Sequence, residues 1–186
     1  MQHEVIVAGF GGQGVLLAGI LLAEAALQDG KEVTWVPAYG PEMRGGTCNC
    51  TVIVSDELIA SPVASEVSFL IAMNEPSLQK FGPIVRTGGT IYHDSSSGDT
   101  LLDRDDIDIG AVPAAQIAAE IGSPKVVNMV MLGALVGSSG LTTRDTLVSV
   151  MEKQLVGEKA RFVPLNIQAL DAGIEIARQH AKKSGK

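Results

Sequence analysis

The apolar positions of the chain fall into two rhythms. "EVIVAG" (4–9) reads as a short buried strand, and "VSFLIAMN" (67–74) as a central strand, apolar on both faces as a covered parallel strand must be. "GGTIYHDS" (88–95) and "IDIGAVP" (107–113) give two more strands. Between them run segments of helical length. One spans about Gln13 to Leu27, with Val15, Leu16, Ile20, Leu22, Ala23 and Leu27 apolar on more than one side, which predicts a largely buried helix ended by Asp29-Gly30. "EPSLQKFG" is a short helix with Pro in its first turn, and "AAQIAAEIG" another. From Val126 onward the pattern is helical throughout. "VVNMVMLGALVG" is a buried helix with small residues, and "LTTRDTLVSVMEKQL" has a Thr cap with Asp145 in its first turn. The last helix repeats apolar residues at Ile167, Leu170, Ile174 and Ala177.

One region breaks the alternation of strand and helix. "KEVTWVPAYG" holds a second strand ending near Pro37, and "TCNCTVIVSD" is strand-like again, yet only Ala38 to Gly46 separate them. A parallel crossover takes about a dozen residues or more, so these two strands are not joined by a helical crossover. The segment predicts a long loop followed by an irregular or antiparallel strand. "SDE" (55–57) then reads as a turn into a short strand at "LIAS", and "SSSGDTLLDRDD" (95–106) as an exposed polar excursion. The fold expected is α/β: a single three-layer Rossmann-like domain over residues 1–186, with a mostly parallel sheet, one departure after strand 2 and a helical C-terminal part.

Composition narrows the function. Apolar residues make up 46% of 186, with 21 Gly and only 4% aromatics, a mix suited to closely packed strands and helices. The formal charge of -7 and the lack of a basic block beyond "KKSGK" argue against nucleic acid as a partner. "MQHEVIVAGF" lacks the basic start of a secretion signal, and the longest apolar run is too short to span a bilayer, so a cytoplasmic protein is expected. The two cysteines, Cys48 and Cys50, share one face of a strand and are too few for a metal cluster; the three His are scattered. No metal site is expected in this chain.

Two loops carry the candidate chemistry. "GFGGQG" follows a strand and opens a helix: Gly9 permits the turn, Gly11 and Gly12 let amides approach a ligand, Gln13 sits between, and Gly14 lets the helix pack on the sheet. A dinucleotide site also needs a carboxylate at the end of the second strand, and "VTWVPAYG" has none. The second loop is "YGPEMRGG": Tyr39, Gly40, Pro41, Glu42, Met43, Arg44, Gly45 and Gly46. Arg44 offers a planar charged fork for a phosphate or carboxylate, while Gly45 and Gly46 allow another backbone to come close. Tyr39 and Met43 supply adaptable contact surface. Both loops leave carboxyl ends of strands expected to be neighbours, and so to share one rim. A close-packed corner without a ligand, and a solvated loop with a local Glu42–Arg44 pair, are the plainer readings of the two loops.

Taken together, "GFGGQGVLLAGILLAEAA", "YGPEMRGGTCNCTVIVSDELIASP", "FLIAMNEPSLQKF" and "GGTIYHDSS" resemble the gamma subunit of the 2-oxoacid:ferredoxin oxidoreductases over most of the chain. The resemblance implies a subunit of an enzyme that converts a 2-oxoacid and CoA to acyl-CoA and CO2 and reduces ferredoxin. It implies thiamine diphosphate, Mg2+ and [4Fe-4S] clusters in or with other subunits, alpha and beta subunits that bind thiamine, and a ferredoxin-like delta subunit. No catalytic residue is expected here, and the isolated chain is expected to be inactive. The resemblance leaves branched-chain 2-oxoacids, 2-oxoglutarate and pyruvate open as substrates, and the loop wording tilts toward 2-oxoisovalerate or 2-oxoglutarate. The small subunit of indolepyruvate ferredoxin oxidoreductase and a free-standing Rossmann nucleotide-binding protein are the rival readings.

Overall fold

A computed structural model of the chain describes residues 1–40, 46–97 and 102–183. Its six strands are β1 (Gln2–Phe10), β2 (Glu32–Tyr39), β3 (Thr47–Ser55), β4 (Val67–Ala72), β5 (Val85–Asp94) and β6 (Asp108–Val112). They form one sheet in the order β2-β3-β1-β4-β5-β6. β1, β4, β5 and β6 pair in parallel, whereas β3 pairs antiparallel with both β1 and β2. β2 therefore points the same way as β1, and β3 alone runs against the rest. The short connection forces this result, since the chain leaving β2 can only double back into a hairpin.

Two expectations need correction. β1 and β2 are not neighbours, because β3 lies between them, with Val7 opposite Cys50 and Cys50 opposite Pro37. "LIAS" forms no strand either; the segment is irregular, and Leu58 is 86% exposed. A lone apolar pair among polar residues has no sheet face to cover.

The helices are α1 (Val15–Gln28), α2 (Glu75–Phe81), α3 (Ala114–Ile121), α4 (Val127–Ser139), α5 (Arg144–Gln154) and α6 (Val163–Lys183). One face of the sheet, through Val5, Val7, Cys50, Val52, Ile71 and Tyr92, packs against buried residues of α1, α3, α4, α5 and α6. The other face, through Ile6, Ala8, Leu70 and Ile91, packs against Leu78 of α2 and against Leu102 and Ile107. The three layers are thus unequal. Side chains tie the end of α1 to the start of α5: Thr143 caps α5 by accepting from the Thr146 amide at 3.1 Å, and Asp29 accepts from the hydroxyls of Thr142 and Thr146 at 2.6 and 2.7 Å. Among the described residues no helix is long and apolar enough to cross a membrane.

Candidate functional site: the carboxyl rim

β1 ends into α1 on the thick-layered face, while β4 ends into α2 on the other face. The carboxyl ends of β1 and β4 thus form the switch point at which open α/β sheets hold their ligands. The glycine corner stands there. Gly14 has φ 77, a left-handed conformation that disfavours any side chain, and it opens α1 with no side-chain cap. A Cβ on Gly14 would also collide with the carboxamide of Asn128, which donates to the Gly14 carbonyl at 3.1 Å.

The crevice itself is filled by the chain's own Gln13. Its Oε1 accepts from the Phe10 amide at 2.6 Å and from Nδ2 of Asn74 at 3.1 Å, and its Nε2 donates to the Met73 carbonyl at 3.2 Å. Asn74 is engaged at both ends, because its Oδ1 caps α2 through the Ser77 amide at 2.9 Å. One carboxamide therefore pins the ends of β1 and β4 and, through Asn74, the start of α2. A Cβ on Gly9 would lie 2.7 Å from Gln13 Oε1 and 3.0 Å from Met73 Cβ. Gly9 and Gly14 serve packing, and the crevice between the ends of β1 and β4 is occupied by protein.

What remains open is the outer part of the corner. Gly11 and Gly12 are exposed, and a Cβ on Gly12 would meet nothing within 4 Å. The two loops do lie side by side: the Gly11 amide donates to the Gly46 carbonyl at 2.9 Å, and the Gly40 amide to the Thr47 carbonyl at 2.7 Å. Tyr39 stands 71% exposed on the same rim. Pro41, Glu42, Met43, Arg44 and Gly45 lie outside the described residues.

Cys48 and Cys50 are buried beneath this rim, on the face of β3 toward α1. Burial pushes the Cys50 thiol up to about 12, with a weak Sγ–H contact to the Val15 carbonyl at 3.8 Å, and burial raises Cys48 too. Two protonated thiols packed under a helix do not fit an iron-sulfur cluster, which requires about four thiolates. Sequence reasoning missed the filling role of Gln13 and the part of Asn128. The available signals were an amide-bearing residue inside a glycine run, and one polar residue in an otherwise apolar helix.

An α/β domain with a glycine corner, a tightly closed switch point and an antiparallel hairpin on its rim is the class so defined. The pattern of the pyruvate ferredoxin/flavodoxin oxidoreductase family matches residues 4–176, and the chain belongs to that family. It is 38% identical to the ketoisovalerate oxidoreductase subunit VorA of Methanothermobacter marburgensis, over 96% of this chain but 37% of that protein's length. The 2-oxoglutarate synthase subunit KorC of Methanocaldococcus jannaschii is 33% identical over 96% of both chains. Among solved structures, the gamma subunit of a keto/oxoacid ferredoxin oxidoreductase from Geobacter sulfurreducens PCA aligns with TM-score 0.80 and 31% identity, over 95% of this chain and 99% of that one. A 2-oxoglutarate:ferredoxin oxidoreductase from Magnetococcus marinus, with 2-oxoglutarate, coenzyme A and succinyl-CoA bound, aligns with TM-score 0.85 and 25% identity, over 96% of this chain and 31% of that one.

Proposed function

We propose that the chain is the gamma component of a heteromeric 2-oxoacid:ferredoxin oxidoreductase, which turns a 2-oxoacid, CoA and oxidised ferredoxin into acyl-CoA, CO2 and reduced ferredoxin. Residues 1–186 act in this reading as one gamma-type unit. Thiamine diphosphate with Mg2+ belongs to partner alpha and beta subunits and the clusters to a ferredoxin-like delta subunit, in keeping with two buried, protonated cysteines in this chain. The relatives named for ketoisovalerate and 2-oxoglutarate favour those two substrates. A cytoplasmic setting agrees with this chemistry.

The observation that carries the reading is the Gly11–Gly46 backbone bond, which joins the two loops into one rim with Gly12 and Tyr39 turned outward. That rim docks on the thiamine-binding subunits and borders the approach taken by CoA. CoA phosphates do not enter the crevice, since Gln13 fills it. The test is co-expression with the partner subunits, comparing wild type with Tyr39→Asp and Arg44→Ala. The expected outcome is a loss of subunit affinity of about tenfold or more for Tyr39→Asp, with a matching fall in 2-oxoacid- and CoA-dependent dye reduction and an unchanged melting temperature of the isolated chain. Unaltered association and kinetics in both variants would overturn the docking rim, and turnover by the isolated chain would overturn the subunit role.

A further inference from the structure

At the opposite rim, where the strands begin, a cavity of about 450 Å³ opens between the sheet and the ends of α4 and α6. Sites for small organic ligands span roughly 300–1,000 Å³. Its walls are aromatic. His3 of β1 and Phe69 of β4 lie with ring centroids 5.8 Å apart, and Tyr92 of β5 meets His180 of α6 edge-on at 6.3 Å. Gly88, Gly89 and Gly137 also line the space and put no side chain into it.

Most polar groups of the wall already have partners. Nε2 of His180 and Oδ1 of Asp108 are 2.8 Å apart, and Ser138 donates toward the carbonyls of Ala134 and Leu135. Two groups remain. Nδ1 of His3 is buried with no hydrogen-bond partner among the described residues, and the Arg86 guanidinium makes no ion pair among them. Buried polar atoms are nearly always satisfied, so an orphan nitrogen on a residue that lines the cavity marks a hydrogen bond still to be made. Glu4 and Glu66 share a separate cavity with Arg86 but stay beyond ion-pair reach, and Glu4 is held by the Ser68 hydroxyl at 3.0 Å.

The irregular start of β5, which carries Arg86, is held in place before any ligand arrives. Arg104 grips Asp106 with two parallel bonds, of 2.8 and 2.5 Å, and donates to the carbonyls of Val85 and Gly82 at 2.6 and 3.2 Å. The Gly88 amide donates to the Asp106 carbonyl at 2.8 Å, and the Thr87 hydroxyl to the Asp106 carboxylate at 2.8 Å. Burial first, and the nearby Arg86 charge second, lower the pKa of His3 and favour its neutral form. A neutral imidazole protonated at Nδ1 can donate one bond there.

From this arrangement we infer that the cavity binds a small organic monocarboxylate with an aromatic body, its carboxylate held by Arg86 and Nδ1 of His3 and its ring flanked by Phe69 and Tyr92. A guanidinium fork matches a carboxylate in geometry as well as charge. One unanswered cation suits one negative charge, and the Asp108 carboxylate in the wall opposes a dianion such as phosphate. The site lies at the end of the sheet away from the docking rim and stands independently of it.

The experiment is a titration of the full chain with phenylacetate, followed by the imidazole NMR signals of His3 and His180 and by the melting temperature. Neutral phenylacetamide and inorganic phosphate are run beside it. The expected result is saturable movement of both histidine signals and a rising melting temperature with phenylacetate alone. Arg86→Gln, an exposed position on a fixed segment, should weaken binding by about tenfold or more, as loss of a charge-assisted contact implies. His3→Phe, which keeps a ring against Phe69, should weaken it less. Absence of saturable shifts, equal binding of the amide, or unchanged affinity in Arg86→Gln would each overturn the site.

Discussion

Two glycine groups invite comparison, the corner at 9–14 and the crossing of α4 with α6, and of these only the first looks like a ligand loop in the sequence. At the helix crossing the reason for Gly is bare proximity. A Cβ on Gly133 would lie on the Leu170 carbonyl oxygen, one on Gly173 on the Val130 carbonyl oxygen, and one on Gly137 would be 3.0 Å from both Ala177 Cβ and Ile174 Cα. Two helix backbones touch there with nothing between them. At the corner, Gly9 and Gly14 turn out to do the same work against Gln13 and Asn128, and only Gly11 and Gly12 stay open. A glycine motif therefore reports close approach of something; which partner approaches is decided elsewhere in the chain, here by residues up to 114 positions away.

The largest expected effect tests the helix crossing. Gly173→Ala gains about 1 kcal/mol of helix propensity, yet its methyl must push α4 away from α6 along a fully packed seam. Overpacking of this kind costs about 1–3 kcal/mol and more where backbone opposes it, so a net loss of about 2–3 kcal/mol is expected in urea unfolding. The bulkier Gly173→Leu should leave no folded chain. A stable Gly173→Leu protein would break the contrast, since it would show that the helices have room.

How much of this was legible beforehand follows the range of the interactions. The strand and helix segments, the doubling back after β2 and the buried α4 depend on local pattern, and they could be read from "KEVTWVPAYG", "TCNCTVIVSD" and "NMVMLGALVG". That β3 would wedge between β1 and β2 could not, because nothing local in Thr47–Ser55 says which strand it pairs with on its far side. "LIAS" was misread because a short apolar run carries the same signal whether or not a neighbouring strand exists to receive it. At the rim, the sequence places the two loops together by reading β1 and β2 as neighbours, whereas they meet through β3, whose ladder with β1 continues into the Gly11–Gly46 bond. The Gln13 clamp was not legible, since Met73 and Asn74 reach it from 60 and 61 residues away.

A middle-sized effect tests the corner. Gln13→Ala removes three hydrogen bonds and leaves the Phe10 amide and Nδ2 of Asn74 to find water. The expected loss is about 1–3 kcal/mol, smaller than the loss from Gly173→Leu because water can enter at this half-exposed rim. Gln13→Glu sharpens the result: a carboxylate still accepts from Phe10 and Asn74 but faces the Met73 carbonyl with a second acceptor. It should retain part of the stability at neutral pH. A Gln13→Ala protein within about 0.5 kcal/mol of wild type would mean that the carboxamide only occupies space, and the crevice would again be a candidate seat for an anion.

The smallest effect concerns a third glycine site, Gly88, which is held by charge instead of packing. Gly88 has φ 75 with open space around its missing Cβ, and the turn depends on the Arg104–Asp106 clamp. Hydrogen bonds from Arg104 first and Thr87 second hold the Asp106 carboxyl well below the usual carboxylate range. A folded-state pKa below the unfolded one means that the unfolded chain binds the proton more readily. The clamp's contribution is therefore complete above the unfolded value of about 3.9, and it is lost as pH falls from there toward the depressed folded value. Comparing wild type with Asp106→Asn isolates this group, because every other acid titrates in both proteins. The stability difference should be modest and constant from pH 8 to 5, shrink below pH 4 and narrow further with added salt, since the pair is near the surface. A difference that persists undiminished at pH 2 would assign the turn's order to uncharged contacts of the Asp106 side chain such as the Thr87 hydrogen bond, and the contrast between packed and charge-held glycines would fail.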